Sequence, residues 1–558
     1  MADEAKTPWV DGLTIGQVLA ETCSRHAEQQ AIVFPHAGVL RTWRQFGEEV
    51  DATARALLAL GVKKGEHVAV WATNVPQWVL LQFATARIGA VMVTINPAYR
   101  AHELKYVLNQ SDSVALILVD HFKTSDYFAM LAEVCPEIAA AKDGAVQSRE
   151  YPRLRRIVAI KGSPPAGLLT WEKFLAAGRG VPQGEVESVA KTLQPGEAIN
   201  IQYTSGTTGF PKAATLSHRN LLLNAYYIGE CQNLSSADRI CIPVPFYHCF
   251  GCVLGTLACA VYGATMIVPA EYFQPTATLD AVEKHRATSL YGVPTMFIAQ
   301  LQDPSLAGRD LKSLRTGIMA GAPCPIEVMK QVENVLGAKE LTIAYGQTEA
   351  SPVVTQTRYD DPTELRVETV GRLLPGVEAK IVDPATGQSL PDNTQGEFCC
   401  RGHVVMLGYY NNPEATAAAI DKEGWLHSGD LAIRLPNGYF KITGRLKDMV
   451  IRGGENIYPR EIEEFLFTHP AIEQAAVFGI PDPKYGEELA AWVKLKAGEQ
   501  ATADEIREFC KKKLAHYKVP RHVRLVNAFP QTVTGKIQKF RMREMMKQEL
   551  GLEEQATA

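Results

Sequence analysis

The chain has 558 residues, enough for several lobes rather than one core. Hydrophobic residues make up 46% and charged residues 21%, the balance of an ordinary globular protein. With 57 Lys and Arg against 61 Asp and Glu, the net charge of −4 gives no reason to expect nucleic acid or an anionic membrane as partner. The chain opens on Met1-Ala2-Asp3-Glu4, which is acidic and lacks the apolar run of a secretory or transit peptide. Eleven scattered cysteines, an odd number, fit a reducing cytosol, so a cytoplasmic location is expected.

Residues 1–65 carry helical patterns and a short β stretch, Gln30-Ala31-Ile32-Val33-Phe34. Alternation then begins. Residues 67–71 read as a strand, 79–88 as an apolar helix closed by Gly89, and 91–95 as a strand again. Residues 103–108 read as helix and 114–119 as a fully apolar strand. Such alternation implies α/β layers around a largely parallel sheet. Residues 140–195 are less regular and read as a surface excursion, with Arg153, Arg155 and Arg156 on a solvated face.

The strand-like run 198–203 leads into Tyr203-Thr204-Ser205-Gly206-Thr207-Thr208-Gly209-Phe210-Pro211-Lys212. Gly lets a backbone approach a ligand closely, and successive N–H groups can converge on one point. The Thr and Ser hydroxyls add donors, and Lys212 adds a point charge. Those are the parts of a polyphosphate cradle, although the Walker spacing is absent. Residues 240–270 contain no Lys, Arg, Asp or Glu, which is long enough to span a bilayer. Pro243, Pro245, Gly251, Gly255, Gly263 and Pro269 interrupt the run, leaving a buried core helix near 252–262 and a strand at 264–268. No membrane span is expected. Further strands are read at 240–245, 289–293 and 314–319.

Between 355 and 445 the pattern shifts to short strands and turns, a β-rich part on the α/β body. A polar stretch, Thr443 to Asp448, precedes a final unit of about 110 residues. There, helices are read at 460–467, around Ile506 to Tyr517, and from Lys539 onward, with strands at 475–480 and 489–495. The division expected is 1–443, a hinge at 444–448, and 449–558. The fold class is α/β, with layered subdomains and a small β-rich subdomain, then a small mobile α+β domain.

The motifs together resemble those of the adenylate-forming, AMP-binding enzymes, and most of all the acyl-CoA synthetase branch with its medium-chain members. The loop 204–212 resembles the family's signature. Tyr345-Gly346-Gln347-Thr348-Glu349 resembles its adenine and magnesium motif, and Trp425-Leu426-His427-Ser428-Gly429-Asp430 its ribose motif. Gly444-Arg445-Leu446-Lys447-Asp448, then Gly453-Gly454-Glu455, resembles its hinge and CoA-channel loop. Pro530-Gln531-Thr532-Val533-Thr534-Gly535-Lys536 resembles its catalytic lysine loop. One departure stands out: Ala213 follows Lys212 where the family usually has Gly.

The resemblance implies ATP, Mg²⁺ and coenzyme A beside a small carboxylic acid, with homo-oligomerisation left open. Thr204, Ser205, Gly206, Thr207, Thr208, Gly209 and Lys212 would hold phosphates. Tyr345, Gly346, Gln347 and Thr348, with Gly321, Ala322 and Pro323, would flank adenine. Glu349 would hold Mg²⁺, Asp430 and Arg445 the ribose and phosphate, and Lys536 would act in adenylation. Lys447 would be the pivot that exchanges Lys536 for Gly453, Gly454 and Glu455 on the CoA channel. His248 would sit beside the acyl carboxylate; a packed core histidine is the alternative. Cys249-x-x-Cys252 stands alone, so neither zinc nor redox chemistry is read from it.

The resemblance also points to an apolar acyl wall, here Tyr226, Tyr227, Phe250, Val253, Val293, Met296, Met319, Ala320 and Val353. It carries no charge to pair a second charge on the substrate, so a plain fatty or aryl acid fits better than an amino acid. Rival readings are an aryl-CoA ligase, an acyl-AMP ligase loading a carrier protein, a nucleotide-binding regulator without turnover, and a phosphotransferase.

Overall fold

The computed structural model describes residues 7–204, 211–322, 324–453, 455–533 and 535–552. Apolar runs become the central strands of two large sheets. In the eight-stranded sheet the order is Gly408–Tyr409, Lys212–Ser217, Ala198–Thr204, Val91–Thr94, His67–Trp71, Ser113–Leu118, Arg156–Ala159 and Leu169–Thr170. It is parallel from Ala198–Thr204 onward. The nine-stranded sheet has a parallel centre that includes Thr265–Ile267, Arg239–Cys241, Ser289–Gly292, Thr316–Ala320 and Glu340–Gly346. Parallel strands need cover on both faces, which is why Val68 to Trp71 and Ala115 to Leu118 are fully buried.

Helix Pro76–Ile88 lies within that cover and is buried almost all round. Pro76 starts it, and Gly89 at φ +67° ends it, where an added Cβ would meet Leu193 Cδ2 at 2.4 Å. The apolar run after Pro243 also goes inside. Phe250–Leu257 winds as π-helix, every residue buried, and passes into Ala258–Tyr262. No helix among the described residues is long and apolar enough to cross a membrane.

The reading of 140–195 as a surface excursion is corrected. Arg156–Ala159 is a strand of the first sheet, with Ile157 and Val158 fully buried. Helix Trp171–Gly178 turns Trp171 and Phe174 inward and packs on helix Trp43–Ala59. A Cβ on Gly178 would lie 2.6 Å from Ala56 N, so the two helices meet only because Gly is there. Arg155 does stay at the surface, paired with Glu66 at 2.8 Å.

The β-rich part is an antiparallel sheet of Val377–Val382, Gln395–Gly402, Leu426–Arg434 and Phe440–Arg445. Beyond it lies a five-stranded sheet built on the long hairpin Ile472–Asp482 and Gly486–Leu495. Alternation along the first hairpin strand serves two cores. Ala475 and Val477 join Ile462, Leu466 and Ile506 on one face. Ala476, Phe478 and Ile480 join Trp492, Met542 and Met546 on the other. Neither cluster includes a residue before Val450, so this C-terminal part has cores of its own.

Candidate functional site

One long cleft runs between the C-terminal part and the two large sheets, and most residues singled out in the sequence line it. Its floor begins at strand Ala198–Thr204. Antiparallel pairing sets Thr204 opposite Lys212, where the two strands end side by side. Strand Glu340–Gly346 ends alongside and feeds a single turn, Thr348–Ala350, that carries Glu349. Gly346 is required there, because an added Cβ would sit 1.8 Å from Pro352 O. Thr204 Oγ1 donates to Glu349 Oε1 at 3.1 Å, and Tyr409 OH donates to the same oxygen at 2.8 Å. Lys212 Nζ stands 5.1 Å over the Tyr409 ring.

The β-rich sheet supplies the second group. Asp430 and Arg445 are cross-strand partners, and Arg445 Nε lies 2.6 Å from Asp430 Oδ1. Tyr345 OH donates to Asp430 Oδ2 at 2.9 Å. Burial, then the Asp430 charge, pushes the Tyr345 phenol well above its usual value. Burial works against the charged Arg445, but Asp430, Asp448 and Tyr345 outweigh it and hold its proton more tightly.

The C-terminal part delivers Lys536 on a tight hairpin. Lys536 N donates to Thr532 Oγ1 at 3.0 Å, and Thr532 N to Lys536 O at 2.8 Å. Gly535, at φ +79°, presses against the large part: an added Cβ would come within 2.7 Å of Thr295 Oγ1 and 3.0 Å of Val293 Cγ2. Thr295 Oγ1 donates to Gly535 O at 3.4 Å. Lys536 keeps an accessible surface toward the cleft. The Arg445 charge first, and loss of solvent second, bring its ammonium down to about 8. Lys447, in the turn Leu446–Asp448, also lines the cleft and is lowered by burial and by Arg445.

His248 lines the same cleft as Lys536 and feels its charge. Phe250 N donates to His248 Nδ1 at 3.1 Å, which leaves the ring proton on Nε2. Burial, then Lys536, lowers this imidazole to about 4, so it is neutral at physiological pH. A neutral ring with its proton on Nε2 can act there as a donor rather than a cation.

Gly321, Ala322, Gln347 and Thr348 also line the cleft. Gly453 and Glu455 do not: both are exposed, Gly453 beside Tyr485 and Glu455 in the hairpin with Val450–Arg452. Ser205, Gly206, Thr207, Thr208, Gly209, Pro323 and Gly454 lie outside the described residues. The acyl wall is corrected in part. Phe250, Val293, Ala320 and Val353 line the cleft, but Tyr226, Tyr227, Val253, Met296 and Met319 do not. Tyr226 stacks on Tyr262, and Tyr227 packs on His403. Leu254, Val244 and Tyr247 stand at the wall instead.

In the Cys249-x-x-Cys252 pair, Cys249 Sγ contacts His248 and Thr348, and Gln202 donates to Cys252 Sγ. Burial pushes both thiols up, Cys249 to about 12. Among the described residues, one group of His, Cys, Asp and Glu donor atoms lies within 4.8 Å of one another: Glu397, Cys399 and His427. It sits behind the Asp430 turn. Sequence reasoning missed Tyr409, Thr295 and Glu397. Tyr409 and Thr295 are remote in sequence from the residues they serve, and no periodicity marks any of the three.

Comparison with known proteins places this geometry. The AMP-binding enzyme model matches residues 19–410, and the AMP-binding enzyme C-terminal domain model matches 461–536. YngI of Bacillus subtilis (strain 168), provisionally named an acyl-CoA synthetase, is 51% identical over 531 residues, covering 95% of this chain and 96% of its own. The mitochondrial medium-chain acyl-CoA ligase ACSF2 of Danio rerio is 44% identical over 541 residues, 97% of this chain and 89% of its own. A crystal structure of the anthranilate CoA ligase AuaEII with anthranoyl-AMP superposes with a TM-score of 0.83 at 26% identity, covering 97% of this chain and 98% of that one.

Proposed function

The chain belongs to the AMP-binding enzyme family, and from that premise we propose an acyl-CoA synthetase that activates a medium-chain fatty acid through an acyl-adenylate. It is an acid–thiol ligase using ATP and coenzyme A. The observation that carries the finer reading is a single cleft holding Thr204, His248, Glu349, Asp430, Arg445 and Lys536. A carboxylate does not acylate a thiol, because its oxygen is a poor leaving group. In the proposed first step a carboxylate oxygen bonds to the α-phosphorus of ATP, and the bond to pyrophosphate breaks. In the second, the thiol sulfur of coenzyme A bonds to the acyl carbon, loses its proton, and AMP departs. Both steps need positioning and charge neutralisation more than a protein nucleophile.

His248 Nε2–H would hold the acid's carboxylate, and Asp430 would accept from the ribose. Arg445 and Lys536 would face the α-phosphate, where two anions must meet. Thr204, Lys212 and the loop between them would receive the departing pyrophosphate. Glu349 fits Mg²⁺: it offers carboxylate oxygen, its Oε1 is fixed by two hydroxyls, and its Oε2 has no partner among the described residues. When bound there, the cation would neutralise phosphate charge.

The proposed domain division is 1–443, a hinge at 444–448 around Lys447, and 449–558. With Lys536 docked, Gly453 and Glu455 face solvent, so thioester formation calls for a second orientation that brings them to the channel. The uncharged wall of Val244, Leu254, Val293 and Val353 suits an unsubstituted chain. An aryl acid is the second reading, supported by the likeness to a ligase solved with anthranoyl-AMP. All eleven cysteines are free thiols, which supports the cytoplasmic reading. The test is pyrophosphate release over straight-chain acids of graded length and over benzoates, with and without coenzyme A. The reading predicts a medium-chain optimum and one pyrophosphate per site before coenzyme A is added. ADP as product, or no release with any acid, would defeat it.

A further inference from the structure

The strand that carries Asp430 is not regular at Asp430. Across the antiparallel pair of Gln395–Gly402 and Leu426–Arg434, Cys399 stands opposite His427 and Glu397 opposite Leu431. Ser428, Gly429 and Asp430 therefore all stand opposite the single residue Phe398. The excess chain bulges toward the cleft, and Gly429 takes φ +69° to allow it. A bulge of this kind removes cross-strand partners from its backbone N–H groups, which must then be satisfied elsewhere. Two side chains do that. Asp430 N donates to Ser428 Oγ at 3.1 Å, while Ser428 Oγ itself donates to Phe398 O at 2.6 Å. Gly429 N donates to Glu397 Oε1 at 3.1 Å.

Glu397 is 8% exposed, and its carboxylate is fixed at both ends. Oε2 lies 2.9 Å from His427 Nδ1. His427 is held in turn by Asp421 Oδ2 at 3.7 Å from Nε2, and Cys399 Sγ lies 3.4 Å from Nδ1. A chain of contacts thus runs from the surface turn at Asp421, through His427 and Glu397, to the backbone one residue before Asp430. The 2.9 and 3.4 Å separations are hydrogen-bond and close-contact distances, and an Nδ1 that donates to the Glu397 carboxylate carries a proton and is not free to ligate.

We infer that Glu397 is a positioning residue of the nucleotide site: it clamps the bulge that aims Asp430, and so sets the discrimination between ribose and deoxyribose. Glu397 reaches no substrate. It acts on Gly429, and Gly429 fixes where the Asp430 carboxylate meets the two sugar hydroxyls. Tyr345 and Arg445 each hold one oxygen of the Asp430 carboxylate, so without Glu397 the side chain stays in the cleft but loses its register against the sugar.

The inference rests on the proposed ribose role of Asp430, and the experiment separates the two. Catalytic efficiency in pyrophosphate release is measured with ATP, 2′-deoxy-ATP and 3′-deoxy-ATP. The proteins are wild type, Asp430→Ala, Glu397→Met, Glu397→Gln and His427→Ala, each checked for its melting transition. Wild type is expected to prefer ATP, and Asp430→Ala to lose that preference. Glu397→Met fills the space without an acceptor and is expected to cut the preference about tenfold, the scale of one hydrogen bond to a charged group. Glu397→Gln keeps an acceptor for Gly429 N–H and is expected to retain most of it. His427→Ala, at a half-exposed site, removes only the far anchor and is expected to cut the preference about threefold, a fraction of one such bond; it carries the test if Glu397→Met does not fold. If all three nucleotides weaken equally in Glu397→Met and His427→Ala, the clamp is disproved while the ribose role stands. If wild type and Asp430→Ala discriminate alike, the ribose role itself is wrong and the clamp falls with it.

Discussion

Glu349 and Lys536 line the same cleft but are held by opposite means. Glu349 sits on a turn at the end of a buried parallel strand, with hydroxyls from Thr204 and Tyr409 on one oxygen. Lys536 sits on a hairpin whose own support lies in a separately cored unit. The hairpin meets the large part in a patch, at Gly535, against Thr295 and Val293, and at Val533, which packs on the large core. The large sheets fix what must stay still around a nucleotide. In the proposed cycle the small unit carries what is brought and withdrawn. The proposed exchange between two half-reactions requires docking that can be undone, because a broad apolar interface would lock one orientation.

The comparison can be broken first on the rigid side. Glu349→Gln keeps the shape of the turn but removes the charge, and pyrophosphate release should fall about 10²- to 10³-fold. A loss below about tenfold would remove Glu349 from the chemistry. On the docking side, Thr295→Arg should obstruct the approach of Gly535 and cost adenylation about 10²-fold, the penalty of a misplaced reacting group. Transfer of supplied acyl-adenylate to coenzyme A should be nearly unchanged if, as proposed, Lys536 is withdrawn for that step. A parallel loss would mean that the patch supports the whole fold.

Charge gives a smaller and sharper test. The Arg445 charge is the leading reason that the Lys536 ammonium is brought down to about 8, and in the proposed role the protonated form is the one that neutralises phosphate. Adenylation efficiency should therefore decline as pH rises through about 8. Arg445→Gln removes the repelling cation, so Lys536 holds its proton to higher pH and that limb should move up, even as overall activity drops. A limb that stays put would assign it to another group. Smallest of all, Tyr409→Phe removes one of two hydroxyls on Glu349 Oε1 and should cost about 1 kcal/mol in nucleotide-dependent stabilisation, read as a lower melting shift on adding ATP.

Much of the framework was legible because burial leaves a mark on sequence. Parallel strands covered on both faces read as apolar runs, as residues 114–118 do, and Pro and Gly mark the ends of helix Pro76–Ile88. Residues 140–195 hid their strand because Arg156–Ala159 is only four residues long and opens on a charge. Two of the five misassigned acyl-wall residues, Tyr226 and Tyr227, lie on helix His218–Cys231 and turn to Tyr262 and His403 rather than to the cleft. Side chains that act through another group, such as Tyr409 and Glu397, gain their meaning only from pairing across strands. No spacing rule could reveal them.

The central claim is that one lysine, delivered by the small unit, serves only the first half-reaction. The direct measurement compares both half-reactions in Lys536→Ala: pyrophosphate release from acid and ATP, and thioester formation from supplied acyl-adenylate and coenzyme A. The account predicts a drop of about 10²-fold or more in the first and a change within a few-fold in the second. Equal losses in both would contradict it.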